Sequence, residues 1–230
     1  MFKTFVGAAG LAGLLSGLLL TAVEQVQIAP LILAAERYER AVETPGAHAQ
    51  GTNDHASAAP ATQTLGKRTL ATALANIVLA TGFALLFASA MSRRDVSGWR
   101  AGVLWGIAGY VVFFVAPSIG LPPLLPGGDA APLVTRELWW AITVGFSAAG
   151  LGLVLLRRHP ALRLLGVALI IVPHLLGAPQ PDEHLSNLPA DLTRQFIVAS
   201  FAANAVFWVA LGGATGHFLR ARTRQRTSVE

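Results

Sequence analysis

The chain has 230 residues, of which 53% are hydrophobic and 13% are charged, and that charged share is about half of what a soluble domain carries. It contains no cysteine, which excludes disulfide bonds and thiolate metal ligands. Its basic residues flank long apolar runs, so the formal net charge of +5 predicts contact with membrane lipid and not with nucleic acid.

Six apolar runs predict six transmembrane helices, because a helix needs about 20 apolar residues to cross the hydrocarbon core. The predicted fold is an all-α integral membrane protein. It is a single transmembrane domain over 1–230, a bundle of about six helices with proline-rich outer loops. Pro173 and His174 interrupt the fifth run, which makes it the weakest span. The predicted spans are 4–24, 69–91, 100–116, 136–156, 162–177 and 195–219.

The first helix is predicted to continue beyond the membrane. The segment 31–40 mixes aliphatic and charged residues, which is typical of an amphipathic extension along the interface. A stretch rich in Ala, Gly, Thr and Ser follows at 44–66 and predicts a flexible outer loop, which contains His48 and His55.

Two later outer loops are rich in proline. The four prolines between Pro117 and Gly128 forbid a regular helix. That segment is nevertheless apolar, so we expect it to pack on the protein or to dip part-way into the membrane. The segment 177–184 is also proline-rich and adds two acids and a histidine. Because the inner loops are short and simple, we expect the residues that carry out the function to lie on the outer face.

The two short inner loops set the predicted orientation. The segments 93–100 and 157–163 carry three basic residues each, which under the positive-inside rule places them, and both chain termini, in the cytoplasm. Nearly all acidic residues then fall on the outer face, where they would concentrate cations near a pore mouth. An ordinary solvated loop surface explains the same acids equally well.

Small residues recur every four positions on three predicted helices. This spacing lets helices approach closely in lipid, either within a compact bundle or at the contact of a homo-oligomer. The residues are Ala9, Gly13 and Gly17, Gly102 with Gly106, and Gly212 with Gly216.

Four polar residues inside the predicted spans need a physical explanation, because placing a polar group in a membrane costs free energy. They are Glu24, Asn76, His174 and Asn204. All lie in the outer half or near the middle, so the topology allows them to converge on one outward cavity. Asn76 and Asn204 are the weaker candidates for lining a translocation path, because they could equally hold helices together.

His174 is the sharpest candidate for a metal ligand, because a neutral imidazole is the commonest transition-metal ligand. Asp182, Glu183 and His184 follow within ten residues, and Glu24 could approach from the first helix. Imidazole and carboxylate without thiolate suit Co²⁺, Ni²⁺, Zn²⁺ or Mn²⁺. The alternatives are a His174 bonded to a backbone carbonyl at the Pro173 kink, and a Glu24 solvated at the membrane boundary.

Three enzyme signatures are missing from the sequence: the nucleotide-binding P-loop, the H-E-x-x-H zinc helix and the G-x-S-x-G elbow. We therefore do not expect an enzyme. Two alternatives to a transporter stay open. One is an integral membrane enzyme with His174 as general base beside a carboxylate. The other is a scaffold subunit of a membrane complex.

Three outer-face motifs together resemble a known family. They are Glu24-Gln25 with Pro30-Leu31-Ile32, the run from Pro117 to Pro123 with Trp139-Trp140 downstream, and the run from Pro173 to Pro179 with Pro189, Phe196 and Trp208 behind it. In this order they are similar to the CbtA family of predicted cobalt transporter subunits.

The resemblance implies cobalt uptake for cobalamin biosynthesis across the bacterial cytoplasmic (inner) membrane, with Co²⁺ as the transported ion and no permanently bound cofactor. It also implies a small single-span CbtB-like partner with a histidine-rich tail. Family members are described with one span fewer than we count, and the weak fifth run decides the number.

Overall fold

The computed structural model describes residues 2–43, 61–94, 96–181, 186 and 188–227. The described residues form helices joined by loops and contain no β-strand. Its α-helices are α1 (Phe2–Val23), α2 (Ala29–Glu43), α3 (Ala61–Ser92), α4 (Trp99–Tyr110), α5 (Ala116–Gly120), α6 (Leu133–Leu156), α7 (Pro160–Leu176) and α8 (Ala190–Thr227). Two π-helical turns, Glu24–Ile28 and Val111–Val115, join α1 to α2 and α4 to α5.

Five apolar helical stretches in the described chain are long enough to cross a membrane, which confirms the predicted all-α membrane fold. Their outward surface is apolar: Val78, Leu164 and Leu175 are each more than 70% exposed, as expected where lipid is the solvent. The five stretches are Phe5–Tyr38, Gly66–Ser92, Trp99–Gly120, Leu133–Leu156 and Ala190–Ala221.

The sixth predicted span is the shorter helix α7, whose 17 residues rise about 25 Å at ~1.5 Å per residue. It runs antiparallel to α6, because Gly166 packs on Gly150 near one end and His174 lies against Trp139 near the other. Trp139 and Ala178 both closely approach Gly120 at the end of α5. The chain after α7 therefore lies at the same end of the bundle as the last residue of α5.

The helices define two ends of the bundle. We call the end with segments 121–132 and 177–181 the loop face, and the end with the turns at 93–98 and 157–159 the terminal face. The proline-rich segment packs on the protein, as expected: Leu125 is buried against Ala35 and Phe196.

Close glycine contacts hold the main bundle together. Gly13 and Gly17 of α1 lie against the α3 backbone at Thr81 and Ile77. In the same way α4 and α8 meet at their own small residues, with Gly212 between Gly102 and Gly106. The predicted small-residue stripes therefore serve contacts within the bundle.

An aromatic cluster fills the space between these helix pairs. The indole of Trp208 stacks on Phe113 at a centroid distance of 5.4 Å and meets Phe83 edge-on at 4.7 Å. Phe87 and Phe207 complete the cluster, and both are buried. This apolar centre fixes α3, α4 and α8 relative to one another.

Two boundaries differ from the sequence prediction. The flexible loop predicted at 44–66 is too long, because α3 begins at Ala61; His48 and His55 lie outside the described residues. The third span extends past 116 to Gly120, because the π-helical turn before Pro117 widens the backbone and lets the helix continue through the proline.

Candidate functional site

A carboxylate within the first membrane-spanning stretch is held by a side chain from α3. Asn76 donates two hydrogen bonds from Nδ2, one of 2.6 Å to Glu24 Oε2 and one of 3.1 Å to Thr21 Oγ1. The Thr21 hydroxyl donates to the carbonyl of Gly17 over 2.9 Å. Asn76 is 9% exposed and Glu24 is half-buried. The fold thus brings together two residues that the sequence singled out separately.

The backbone at Glu24 is unusual. Glu24 begins the π-helical turn, and its carbonyl accepts a hydrogen bond from the N–H of Ala29. Pro30 comes next, and a proline inside a helix lacks an N–H and crowds the carbonyl four residues before it, here Val26. The wider turn relieves this conflict, and such turns are frequent at functional sites.

Glu24 has no basic partner in the described part of the chain. The ion pairs recorded there belong to Glu36, which lies 3.0 Å from Arg68 and 3.9 Å from Arg40. A carboxylate in a membrane span is costly and marks a functional site by default. No basic side chain of the described residues therefore neutralises this carboxylate.

His174 occupies a different environment, on the last turn of α7. Its ring meets Trp139 edge-on at a centroid distance of 6.0 Å. Both ring nitrogens are buried and have no hydrogen-bond partner. The alternative in which His174 bonds a backbone carbonyl at the kink is therefore not observed, and no described protein group engages either ring nitrogen.

The predicted site residues do not all meet. Glu24 sits among α1, α3 and α8, whereas α7 packs chiefly on α6. Asn204 donates from Nδ2 to the carbonyl of Ser200 on its own helix over 3.0 Å. No described hydrogen bond joins the Glu24 and His174 groups, so their convergence on one cavity is not observed.

The metal cluster predicted at the loop face depends on Asp182, Glu183 and His184, which lie outside the described residues. Among the residues that are described, no three His, Asp or Glu side chains come close enough to hold a metal. The ligand set around His174 therefore stays a prediction.

An open cavity of about 800 Å³ lies at the loop face, and we call it the vestibule. Its wall includes three charged residues, Asp129, Arg136 and Glu137, together with Gln180. Gly120 also lines it and touches Trp139 from the side. Gly120 therefore belongs both to the wall of the vestibule and to the contact with Trp139, whereas Trp139 and His174 do not line the cavity.

Comparison with known proteins assigns the chain to a family. The family model described as "Probable cobalt transporter subunit (CbtA)" matches residues 2–220. The chain belongs to the CbtA family. This confirms the resemblance seen in the three outer-face motifs. No curated protein and no solved structure matches the sequence.

CbtA membership fixes the broad class of function. The family is described as one of transporter subunits, and a subunit implies further components. Together with five long apolar helices, it makes this chain a multi-pass membrane protein concerned with metal transport.

The structure of this CbtA-family chain also reveals buried polar groups that the sequence reasoning missed. Trp139, Thr143 and Ser147 on α6 are buried, and their side-chain polar atoms have no hydrogen-bond partner. Their spacing of four residues was the available signal. It was overlooked because the run as a whole is apolar and Trp139 resembles an interfacial belt residue.

Proposed function

We propose that this protein is the membrane-embedded subunit through which a divalent cation, Co²⁺, is taken up, and that Glu24 and Asn76 bind the ion on its route. The observation that carries the proposal is the Glu24–Asn76 hydrogen bond of 2.6 Å within a membrane span, at a carboxylate with no described basic partner. Membership of a cobalt transporter family supports the choice of ion.

The chemistry of this pair suits a transported ion. Glu24 supplies a negative charge, and Thr21 adds a hydroxyl oxygen nearby. Asn76 turns its Nδ2 toward both groups in this structure, so its amide would rotate to present Oδ1 when the ion binds. A conducting site must bind well enough for the ion to enter and weakly enough for it to leave. One carboxylate with neutral oxygens meets that condition better than a closed cage of imidazoles.

Capture at the outer face is the second part of the proposal. The vestibule brings Asp129 and Glu137 to the loop face, where acidic groups raise the local concentration of cations. His174, with Asp182, Glu183 and His184, is proposed to hold the ion there before it reaches Glu24. The loop face is the periplasmic side in this proposal, and both termini are cytoplasmic.

The proposal includes a partner and a destination. A small single-span CbtB-like subunit would pack on the apolar outside of the bundle, where Leu164, Leu175 and Leu176 are among the exposed residues. Lipid covers the remaining surface. The cobalt delivered across the bacterial inner membrane would serve cobalamin biosynthesis.

The test is uptake of radioactive Co²⁺ by cells that lack other cobalt importers, with and without the small partner. Glu24→Gln keeps the shape and still accepts from Asn76, but removes the charge, so we expect it to abolish most of the uptake. Glu36→Gln is the matched control, because it removes a carboxylate of the same stretch that is already paired with Arg68; it should transport like the wild type.

Each outcome separates the proposals. Uptake that persists in Glu24→Gln at wild-type membrane levels would overturn the proposal that Glu24 binds the ion on its route. Loss in His174→Ala, with Glu24 intact, would place the histidine on the route. No uptake by any well-expressed combination would overturn the cobalt function.

A further inference from the structure

A groove separates α6 from the main bundle in the half of the molecule nearest the terminal face. Helix α6 contacts that bundle chiefly through α5 and the π-helical turn Val111–Val115, which lie toward the loop face. Nearer the terminal face, an open cavity of about 410 Å³ lies between α6 and helices α3 and α4, and we call it the α4–α6 groove. Its wall is apolar and includes Phe87 of α3, Leu104 and Trp105 of α4, and Ala148 and Leu156 of α6.

The groove has the depth of one leaflet of a bilayer. From Ala148 to Leu156, helix α6 rises about 12 Å at ~1.5 Å per residue, whereas the hydrocarbon core is about 30 Å thick and each leaflet supplies about half of it. Toward the loop face the groove ends at Phe113, whose ring stacks on Trp208. A membrane-spanning helix of a partner would need a groove along the whole core. This one fits an acyl chain that enters from the terminal face.

Arginines lie at the terminal-face end of the groove on two of the helices that line it. Arg100 precedes Leu104 by one turn and is therefore on the same side of α4. Arg157 and Arg158 directly follow Leu156 at the end of α6. All three arginines are exposed, and none forms an ion pair with a described residue. Basic groups beside a cleft between membrane helices are the pattern that binds anionic lipid headgroups.

We infer that the α4–α6 groove binds one acyl chain of an anionic phospholipid, whose phosphate group lies against Arg100, Arg157 and Arg158. The two parts of the site match the two parts of such a lipid, because the apolar wall accepts the chain and the guanidinium groups accept the phosphate. The bound chain would fill the space between the α6–α7 hairpin and the main bundle. This inference does not depend on which ion the protein carries.

Native mass spectrometry of the protein released from detergent micelles tests this inference, because it counts bound lipid molecules one by one. Phosphatidylglycerol and phosphatidylcholine with identical acyl chains are the probes, since only the first carries a net negative charge. We expect the first phosphatidylglycerol molecule to bind several-fold more tightly than the first phosphatidylcholine molecule. Equal affinities would overturn the inference.

A variant that fills the groove tests the site of the acyl chain. Gly152 lines the groove, and nothing lies within 4 Å of a Cβ added there. Gly152→Leu should therefore occupy the space without a clash and weaken the binding of phosphatidylglycerol several-fold. Gly145→Leu is the matched control, because its Cβ also meets nothing on the same helix but lies outside the groove; it should bind like the wild type. Unchanged binding by Gly152→Leu would overturn the inference.

A pair of double variants tests the site of the phosphate. Arg157→Gln/Arg158→Gln should lose most of the preference for phosphatidylglycerol. Arg37→Gln/Arg194→Gln removes the same charge from exposed residues at the loop face and should keep the preference. Equal loss in both would reduce the effect to unspecific attraction and contradict the site.

The same spectra report a competing occupant of the groove. A wild-type dimer that Gly152→Leu dissociates, with lipid binding unchanged, would assign the groove to a second copy of the chain and overturn the inference.

Discussion

At the scale of single residues, the decisive feature is one amide that serves two acceptors. The Nδ2 group of Asn76 satisfies the Thr21 hydroxyl and the Glu24 carboxylate together. Such a buried network is worth most when every member is paired. Asn76 therefore orients the carboxylate without neutralising its charge, and a change at this one position alters the charge balance of the site.

Asn76→Asp should destabilise the protein in metal-free buffer, because two carboxylates then face each other at the 2.6 Å contact. A divalent cation between them removes the repulsion, so Co²⁺ should raise the melting temperature of this variant more than that of the wild type. Thermal unfolding in detergent, with and without Co²⁺, measures both effects.

Asn204→Asp provides the control, since Asn204 bonds only to the carbonyl of Ser200 on its own helix. It should show no additional gain from Co²⁺. An equal gain in the two variants would mean that cobalt binds elsewhere in the bundle.

At the scale of the helices, proline explains both irregular turns. Each π-helical turn ends two residues before a proline, at Ala29-Pro30 and at Ala116-Pro117. Proline offers no N–H to the carbonyl four residues earlier. The helical hydrogen-bond pattern therefore widens to a π-helical turn, and the helix continues. The sequence pattern predicts no disturbance at Pro30, and the prolines from Pro117 onward are expected to forbid a regular helix, whereas the helix continues through Pro117 to Gly120. Packing around the turn decides whether a helix ends or continues through a wider turn.

Close helix contacts give the clearest stability prediction. A Cβ on Gly212 would collide with the Gly102 carbonyl and with the Gly106 backbone, so Gly212→Ala should cost about 1–3 kcal/mol, as overpacking does. Gly145→Ala is the matched control, because nothing lies within 4 Å of its added Cβ. Its α6 position should be unharmed or slightly stabilised, since alanine is the better helix former.

Melting temperatures of the two purified variants in the same detergent measure this difference. If both glycines tolerate alanine equally, the α4–α8 contact is looser than the structure describes.

At the scale of the whole molecule, successive membrane helices run in opposite directions between the loop face and the terminal face. Helix α7 also runs from one face to the other, although it is short. Trp139 on α6 and Ala178, just beyond α7, both lie close to Gly120 at the end of α5. Thr135 and Gln180 are exposed residues at the loop face, whereas Ser97 is exposed at the terminal face.

Single cysteines at these three positions test the arrangement in intact cells. Thr135→Cys and Gln180→Cys should both react with a membrane-impermeant thiol reagent, and Ser97→Cys should react only after permeabilisation. Labelling of Thr135→Cys without Gln180→Cys would mean that α7 fails to cross.

Apolar patterning is enough to predict the all-helical fold, because a run such as 136–156 in lipid has one viable structure. It also identifies Glu24 and Asn76, since polar groups stand out in such runs. It does not predict that they are paired, because the pairing depends on the α1–α3 register set by Gly13 and Gly17. The unpaired hydroxyls of Thr143 and Ser147 are not predictable from the sequence, because a buried hydroxyl on a helix can bond the carbonyl four residues earlier and only the folded structure decides whether it does.

The short length of α7 has a mechanical consequence for the surrounding bilayer. A helix of about 25 Å leaves ~5 Å of a ~30 Å hydrocarbon core unmatched, and lipids adjust to such a difference by thinning locally. The other membrane-crossing stretches have 22 to 34 residues and impose no such deformation. We therefore expect the bilayer to be thinner beside α7, on the side of the molecule where the vestibule opens, and acyl-chain length to act selectively on the α6–α7 hairpin.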